Sequence, residues 1–573
     1  MHLLTQLPST GDNPRYDVVV VGAGGAGLAA ALFAALDGAQ VLVVERTGHV
    51  GGTTAWSAGT TWVPGTHHGP QVNPTDTLAD AARYLDNAVG ERSNPALRQA
   101  FLAAGPDAVA RLETHTEVKF RPYPKHPDYI SDLGGSTLCG RALEPLPFDG
   151  RLLGRLFGLV RPPIPEFTVL GGMMVDRTDI NHLLGMGQSW ASLKHAVRIV
   201  LRHARDRLGH PRGTRLVMGN ALVARLLYSL SKLDNVSLAL NTSLESLVPK
   251  APGQHELTLV QGTQRCRLMA TRGVVLASGG FNRHSGLRQA LLPGADVAWC
   301  PAAPGHTGTA QALALRLGAQ HGTGGLSHAF WAPVSLRQRA DGSTAVFPHF
   351  VMDRAKPGFI TVNRAGQRFV NESTSYHLFG LSMQAEKAVP AYLVCDAAAL
   401  RQHGMGMVRP GGKGLAPFLA DGYLTEAPTL EALAGKLGIN AAGLAASVQH
   451  INTCAQTGVD PDFQRGETAY QRNIGDPTWP GPNPNIGPLQ TGPFYAVKLY
   501  PGDIGAATGL ATDAHARVLN AQGQPMTGLY AVGNDMHSIM GGVYPAPGIT
   551  IGPGLVFAHL ATRHALGTVQ PPG

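Results

Sequence analysis

The sequence predicts an α/β fold in which the two ends of the chain build one domain around a large insertion. Three observations predict it. Residues 16–21 (YDVVVV) and 40–45 (QVLVVE) are short β-branched runs of the kind buried on both faces of a parallel sheet. Between them LAAALFAALDG, rich in Ala and Leu, reads as a helix stopped by glycine, which completes a βαβ unit. Similar runs return far downstream at GVVLASGG (273–280) and GLYAVGN (528–534), the latter followed by a glycine-rich stretch and a closing helix, LVFAHLATRHAL.

The 573 residues exceed what one hydrophobic core usually organises. The expected division is a Rossmann-like domain from residues 14–325 and 500–573, with an inserted α+β domain at 326–499 to hold a substrate. The inserted part mixes a strand, FITVN (359–363), a helical LEALAGKLG (430–438) and a Pro-rich loop at 477–488. With 44% hydrophobic and 15% charged residues, the chain cannot belong to the disordered class. Five scattered cysteines without a CxxC pair predict neither a disulfide framework nor a metal site, and suit a reducing cytoplasm. The first residues, MHLLTQLPSTGDNPRYD, read as no signal peptide, and no long apolar run reads as a membrane span.

Net charge is +8, and almost all of it sits between Arg151 and Arg215, with eleven Arg or Lys against four Asp or Glu. These basic residues alternate with aliphatic rather than stacking side chains, which argues against nucleic acid. The patch belongs to a basic insertion at about 151–230.

Gly22, Gly24 and Gly27, with Gly25 and Ala26 between them, give G-x-G-x-x-G between a strand and a helix. Glycine there permits a tight turn, close approach of a pyrophosphate and close helix–strand packing, and the helix start offers free N–H groups. Glu45 ends the second strand, where a carboxylate can accept from ribose hydroxyls, and Arg46 follows. The next loop carries Gly52, Thr53, Thr54, Ser57, Ala58 and Gly59, small and hydroxyl-rich enough to pass close to a large flat ring. A nicotinamide enzyme has no evident need of such a loop, so the expected cofactor is FAD.

On these segments the chain resembles the flavoprotein superfamily that contains the fumarate reductases and 3-ketosteroid dehydrogenases. The resemblance implies FAD contacts from all of them, and also from Ala277, Ser278, Gly279, Gly533, Asn534, Gly548, Thr550 and Ile551. No histidine directly follows Gly52, so the flavin is expected to be non-covalent. The fumarate reductase branch grips two carboxylates with arginine, but the corresponding GGVYPAPGITIGPG (541–554) has no cationic side chain. Its Tyr544, four residues before Gly548 and a Thr-Ile-Gly-Pro run, resembles the 3-ketosteroid Δ1-dehydrogenases instead. Two further tyrosines of that family match Tyr376, which ends NESTSY (371–376), and Tyr129, which precedes a glycine-rich stretch and EPLPFDG. Tyr123 is a nearby competitor for the place given to Tyr129. The family's acidic residue after the strand ending in Gly280 is missing; His306 stands in the nearest matching segment, as a structural or a site-tuning residue.

The resemblance implies FAD-dependent removal of hydrogen from C1 and C2 of a 3-ketosteroid. Tyr544 and the Gly548 amide would hold the C3 oxygen, Tyr376 would take the C2 proton, and Tyr129 would assist and relay it. An external acceptor, a quinone or similar, would reoxidise the flavin. The alternatives are an enone or alkene oxidoreductase on a non-steroid cyclic ketone, a fumarate-reductase-like enzyme, and a flavin-binding protein without catalysis. In the insertion, Leu193, Val197, Val200, Leu201, Ala204 and Leu208 fall at helical spacing among basic residues. Three readings stand for this stretch: peripheral contact with the inner face of a membrane through 151–215, an ordinary helix with its apolar face on the core, or a dimer contact.

Overall fold

The computed structural model describes residues 1–8, 13–351 and 353–568, and in it the four buried runs become adjacent strands of one sheet. Arg15–Val21 lies between Val41–Val44 and Gln264–Leu276, and the end of Gln264–Leu276 also pairs with Pro525–Ala531, all in parallel. His2–Leu4 and Val236–Ala239 extend the sheet beyond Val41–Val44, and the antiparallel Gln254–Gln261 and Thr242–Ala251 fold back on its other side. Helix Gly25–Leu36 makes the crossover and is buried throughout Leu28–Ala35, because it is packed between Ile551–Leu566, Met218–Ser231 and the sheet. That explains its Ala-rich, unpatterned sequence: a helix covered on every side needs small side chains rather than an apolar stripe. The parallel strands all end at one edge, where Gly22, Glu45, Ala277 and Val532 begin the loops that follow. Crevices at this carboxyl edge are where open α/β sheets bind ligands.

The C-terminal strand is clasped to its neighbour by a residue the sequence did not single out. Asp535 is fully buried and accepts from the amides of Ser278 and Gly280 and from the Ser278 hydroxyl, the last two at 3.1 Å. Burial raises its pKa against the pull of those donors.

A second sheet, antiparallel throughout, runs in the order Thr344–Pro348, Ala329–Gln338, Phe494–Ala506, Ala391–Asp396, Phe359–Val362, with Thr425–Ala427 also on Phe494–Ala506. The boundary expected between residues 499 and 500 therefore falls inside one continuous strand. The basic insertion is also shorter than the expected 151–230. Met218–Ser231 carries a single charged side chain and is buried against Gly25–Leu36, so close to the Thr54 backbone that a Cβ on Gly219 would lie 1.8 Å from its carbonyl oxygen. In helix Trp190–Asp206 the core-facing side chains are Ala196, Ile199, His203 and Asp206. Of the residues at helical spacing, Val200 packs on the Met173, Val175 and Ile199 cluster and Leu193 is half-buried, while Val197, Leu201, Ala204 and, just beyond, Leu208 are exposed, so the core-facing reading holds for only part of the stripe.

Candidate active site

One cavity opens at the carboxyl edge of the parallel strands and extends beneath the second sheet. Its walls contain Gly22, Gly24, Gly25, Ala26, Glu45 and Arg46, the loop residues Gly52, Thr53, Thr54, Ser57, Ala58 and Gly59, and Ala277, Ser278, Gly279, Gly533, Asn534, Gly548, Thr550 and Ile551. Tyr129, Tyr376 and Tyr544 line the same cavity, whereas Tyr123 does not. Gly27 is also off the wall. It serves packing, since a Cβ there would lie 1.9 Å from the Gly22 carbonyl oxygen. Gly22 has φ +110 and a Cβ on it would sit 2.3 Å from the Ala277 oxygen, while the corresponding space at Gly24 is open. Glu45 is held by the amides of Ala23 and Thr47, both at 2.9 Å, and by the Thr47 hydroxyl at 2.7 Å.

The tyrosines come from three distant segments that interlock around one carbonyl group. Pro545 O, next to Tyr544, accepts from the Tyr129 amide at 2.7 Å and from the Tyr84 hydroxyl at 2.5 Å. Tyr376 opens helix Tyr376–Ala385, capped by the Ser375 hydroxyl. Its neighbour His377 accepts from the Trp331 amide and donates to Gly542 O at 3.0 Å, which ties this helix to the segment bearing Tyr544. The NES triplet before Tyr376 is structural: Glu372 is fully buried and bridges Arg368 and Arg465 at 2.8 and 3.1 Å. Arg354, also fully buried, donates to the carbonyls of His349, Phe350, Glu372 and Thr374 and so fixes the approach to Tyr376.

In the cluster the Tyr129 hydroxyl donates to the Tyr376 hydroxyl at 3.2 Å. Ring centroids lie 5.1 Å apart for Tyr376 and Tyr544 and 5.9 Å for Tyr129 and Tyr544. Phe330 and Phe350 pack edgewise on the rings of Tyr544 and Tyr376, while the charge of the buried Arg354 guanidinium acts on Tyr129. Burial drives Tyr129 and Tyr376 well above the usual tyrosine pKa, and it raises Tyr544 against its bonds to Tyr376 and Thr550. The Gly548 amide donates to no described residue, while its carbonyl accepts from Trp62 and Gly552. A hydroxyl and a free amide on one cavity wall can together hold an oxyanion.

The sequence profile of the FAD binding domain family matches residues 17–551. A 3-oxosteroid 1-dehydrogenase of Mycobacterium tuberculosis is 35% identical over 96% of this chain and 98% of its own length. The chain belongs to the FAD-dependent 3-ketosteroid Δ1-dehydrogenase family. A 4-oxocyclohex-2-ene-1-carboxylate 5-dehydrogenase of Sinomonas cyclohexanicum is 37% identical over 96% of this chain and 93% of its own. The crystal structure of 3-ketosteroid Δ1-dehydrogenase from Sterolibacterium denitrificans in complex with 1,4-androstadiene-3,17-dione superimposes with a TM-score of 0.90 at 32% identity. It covers 97% of this chain and 100% of that one.

The residues present fit FAD. The open space at Gly24 suits a pyrophosphate, and Arg161, which sequence reasoning missed, reaches the same cavity. Its NH2 donates to Thr47 at 2.7 Å, its guanidinium lies over the Trp56 ring, and its buried Nε has no partner among the described residues. An orphaned cationic donor beside Glu45 is what an anionic cofactor would satisfy. Within the basic excess of 151–215 nothing in the sequence marked this arginine from the others. Arg161→Leu is expected to weaken FAD binding by about 10- to 100-fold, the loss of one charge-assisted hydrogen bond, read by titrating apoprotein with FAD and following flavin fluorescence. An unchanged affinity would remove Arg161 from the cofactor site. His306 sits in the same half, its Nε2 3.1 Å from the Thr53 hydroxyl, and burial lowers it to about 3, so it is a neutral partner rather than a charge.

Proposed function

We propose that this protein is a FAD-dependent 3-ketosteroid Δ1-dehydrogenase, with Tyr544 and Gly548 as the oxyanion hole, Tyr376 as the base and Tyr129 as its partner. The observation that carries the reading is the interlocked tyrosine cluster beside the free Gly548 amide. When bound, FAD supplies the acceptor for the hydride that leaves C1. Tyr544 O–H and Gly548 N–H hold the C3 oxygen as it gains enolate character, and each such donor is worth about 3 kcal/mol in the transition state. Tyr376 in its phenolate form takes the C2 proton and becomes the phenol, and the hydrogen bond donated by Tyr129 favours that phenolate before the proton arrives. Phe330 and Phe350 line the same cavity and pack on the rings of Tyr544 and Tyr376. We assign the cofactor to the domain of the parallel sheet, the substrate to the inserted domain of the antiparallel sheet together with Tyr129, Tyr544 and Gly548, and reoxidation to an external acceptor of the quinone type.

Anaerobic addition of androst-4-ene-3,17-dione to the yellow protein should bleach the flavin band and yield the 1,4-diene. No bleaching in protein that dithionite still reduces would overturn the reading.

We also propose that the basic insertion touches an anionic membrane surface. Trp190, Leu201 and Leu208 are 79%, 65% and 89% exposed, with Lys194, Arg198, Arg205 and Arg207 exposed among them. An amphipathic helix of this kind binds anionic lipid through both terms, and no helix among the described residues is long and apolar enough to cross a membrane. The protein is expected to sediment with phosphatidylglycerol vesicles and not with phosphatidylcholine vesicles, and Trp190→Ser with Leu201→Ser should abolish that binding. Equal recovery in the supernatant with both lipids would exclude the contact.

A further inference from the structure

The charges that line the cavity do not balance. On the cofactor side Glu45 faces Arg161, and bound FAD brings two phosphates to the arginines there. Arg177 belongs to the other side. It lines the cavity, and its charge acts on His126, Tyr123, Tyr470 and Lys356. Of these Tyr470 packs 4.7 Å from the ring of Tyr129.

No acid among the described residues answers Arg177. Its neighbours Asp176 and Asp179 are committed to Arg215, at 3.4 and 2.7 Å, and Asp179 also to His195 at 2.8 Å. Glu144 is held by Arg121 at 2.5 Å. Two other cations on this side are already engaged: Lys356 donates to the carbonyls of Ile474 and Gly475 at 2.8 and 2.7 Å, and Arg354 to those of His349, Phe350, Glu372 and Thr374. His126 lines the cavity as a neutral imidazole whose buried Nδ1 has no partner. Apart from Thr60 and the tyrosines, the wall also carries the apolar Ile164, Phe167, Phe350, Val351 and Ile474. A neutral ketone presents its reacting carbonyl to Tyr544 and Gly548, and any second carbonyl it carries offers a guanidinium only an uncharged, single acceptor. Arg177 is exposed, so water solvates it in the free protein at little cost, and its planar fork matches a carboxylate.

We infer that Arg177 receives a carboxylate carried by the ketone substrate away from its carbonyl, so that the preferred substrate is an anionic cyclic ketone. This rests on the ketone-dehydrogenase chemistry proposed above: an acidic steroid narrows the steroid reading, and a small oxocyclohexane carboxylate replaces its substrate while keeping that chemistry. Two skeletons supply the chemistry, a 3-ketosteroid with an acidic side chain and a small oxocyclohexane carboxylate, and His126 beside the arginine adds a neutral polar contact.

The test compares acid with methyl ester on one skeleton, using 3-oxochol-4-en-24-oic acid and, separately, 4-oxocyclohexanecarboxylic acid, in the FAD-loaded enzyme. For one of the two skeletons, kcat/KM should favour the acid over its ester by about tenfold or more, the scale of a hydrogen bond to a charged group. The skeleton that does so identifies the source. Arg177→Leu should collapse that ratio through KM, and Arg177→Lys should restore part of it. An acid-to-ester ratio near one in the native enzyme, or a high ratio that Arg177→Leu leaves in place, would overturn the inference. Acid binding is read independently by perturbation of the flavin spectrum. Arg177-dependent binding without bleaching would sink the dehydrogenase reading and keep this site, whereas bleaching with no dependence on Arg177 would do the reverse.

Discussion

Replacing Tyr376 with phenylalanine is expected to leave a folded, yellow protein whose turnover of a 3-ketosteroid falls by about 10²- to 10⁴-fold, the scale of a lost general base. The ring of Tyr376 packs against Phe350 and Tyr544, and phenylalanine keeps those contacts. Only the hydroxyl that bonds Tyr129 disappears. The same chemistry fixes a pH profile. Burial holds Tyr129 and Tyr376 well above the usual tyrosine value, so neither is ionised near neutrality. The fraction ready to accept a proton rises with pH, and log kcat/KM should climb without a plateau between roughly pH 7 and 9. Steady-state rates with androst-4-ene-3,17-dione across that range check both statements. A phenylalanine variant with the native rate, or a native profile flat from neutrality upward, would move the base to another residue.

Gly548→Ala should be as damaging by a different route. Gly548 has φ +89, and a Cβ would stand 2.4 Å from the Thr60 carbonyl oxygen and 2.6 Å from its carbon. Both neighbours are backbone, so the clash can be relieved only by moving the segment that carries Tyr544 and leads into helix Ile551–Leu566. The backbone strain costs about 1–3 kcal/mol of stability, and displacement of the amide donor removes about 10²- to 10³-fold in kcat. Thermal melts paired with single-turnover flavin reduction separate the two effects. A comparison with Tyr544→Phe sharpens the result, because that change removes the other donor without moving backbone and should lower kcat with little effect on the melt. An alanine variant that reduces flavin at the native rate would exclude the amide from the oxyanion hole.

The parts of this site written in contiguous residues were legible beforehand. The strand–glycine–helix unit at 16–36 and the acid at 45 announce a dinucleotide site because their chemistry is local, and all but Gly27 of the predicted contacts reach the cavity wall. The tyrosines were legible through the motifs around them, although only the fold separates Tyr129 from Tyr123. Other residues have meaning only in three dimensions. Asp535 is one acid after GLYAVGN until its carboxylate meets two amides some 255 residues away. Arg161 and Arg177 share a segment and a charge, yet one lies beside Glu45 and the other acts on His126, Tyr123 and Tyr470. The insertion ended too late in the sequence reading because MGNALVARLLYSLS has no marker where basic surface gives way to core.

The placement of Asp535 and helix Ile551–Leu566 sets the timetable of assembly. Helix Gly25–Leu36 leaves the ribosome well over five hundred residues ahead of the end of Ile551–Leu566, against which it packs. At about 5–20 residues per second the early βαβ unit waits roughly half a minute or more for its partners. Until then the nascent chain lacks Gly533, Asn534, Tyr544 and Gly548, and the strand that Asp535 pins in place. Flavin loading is therefore a late event, and a chain cut short before residue 525 would emerge colourless. Yellow colour is therefore expected only in chains extended through Ile551–Leu566.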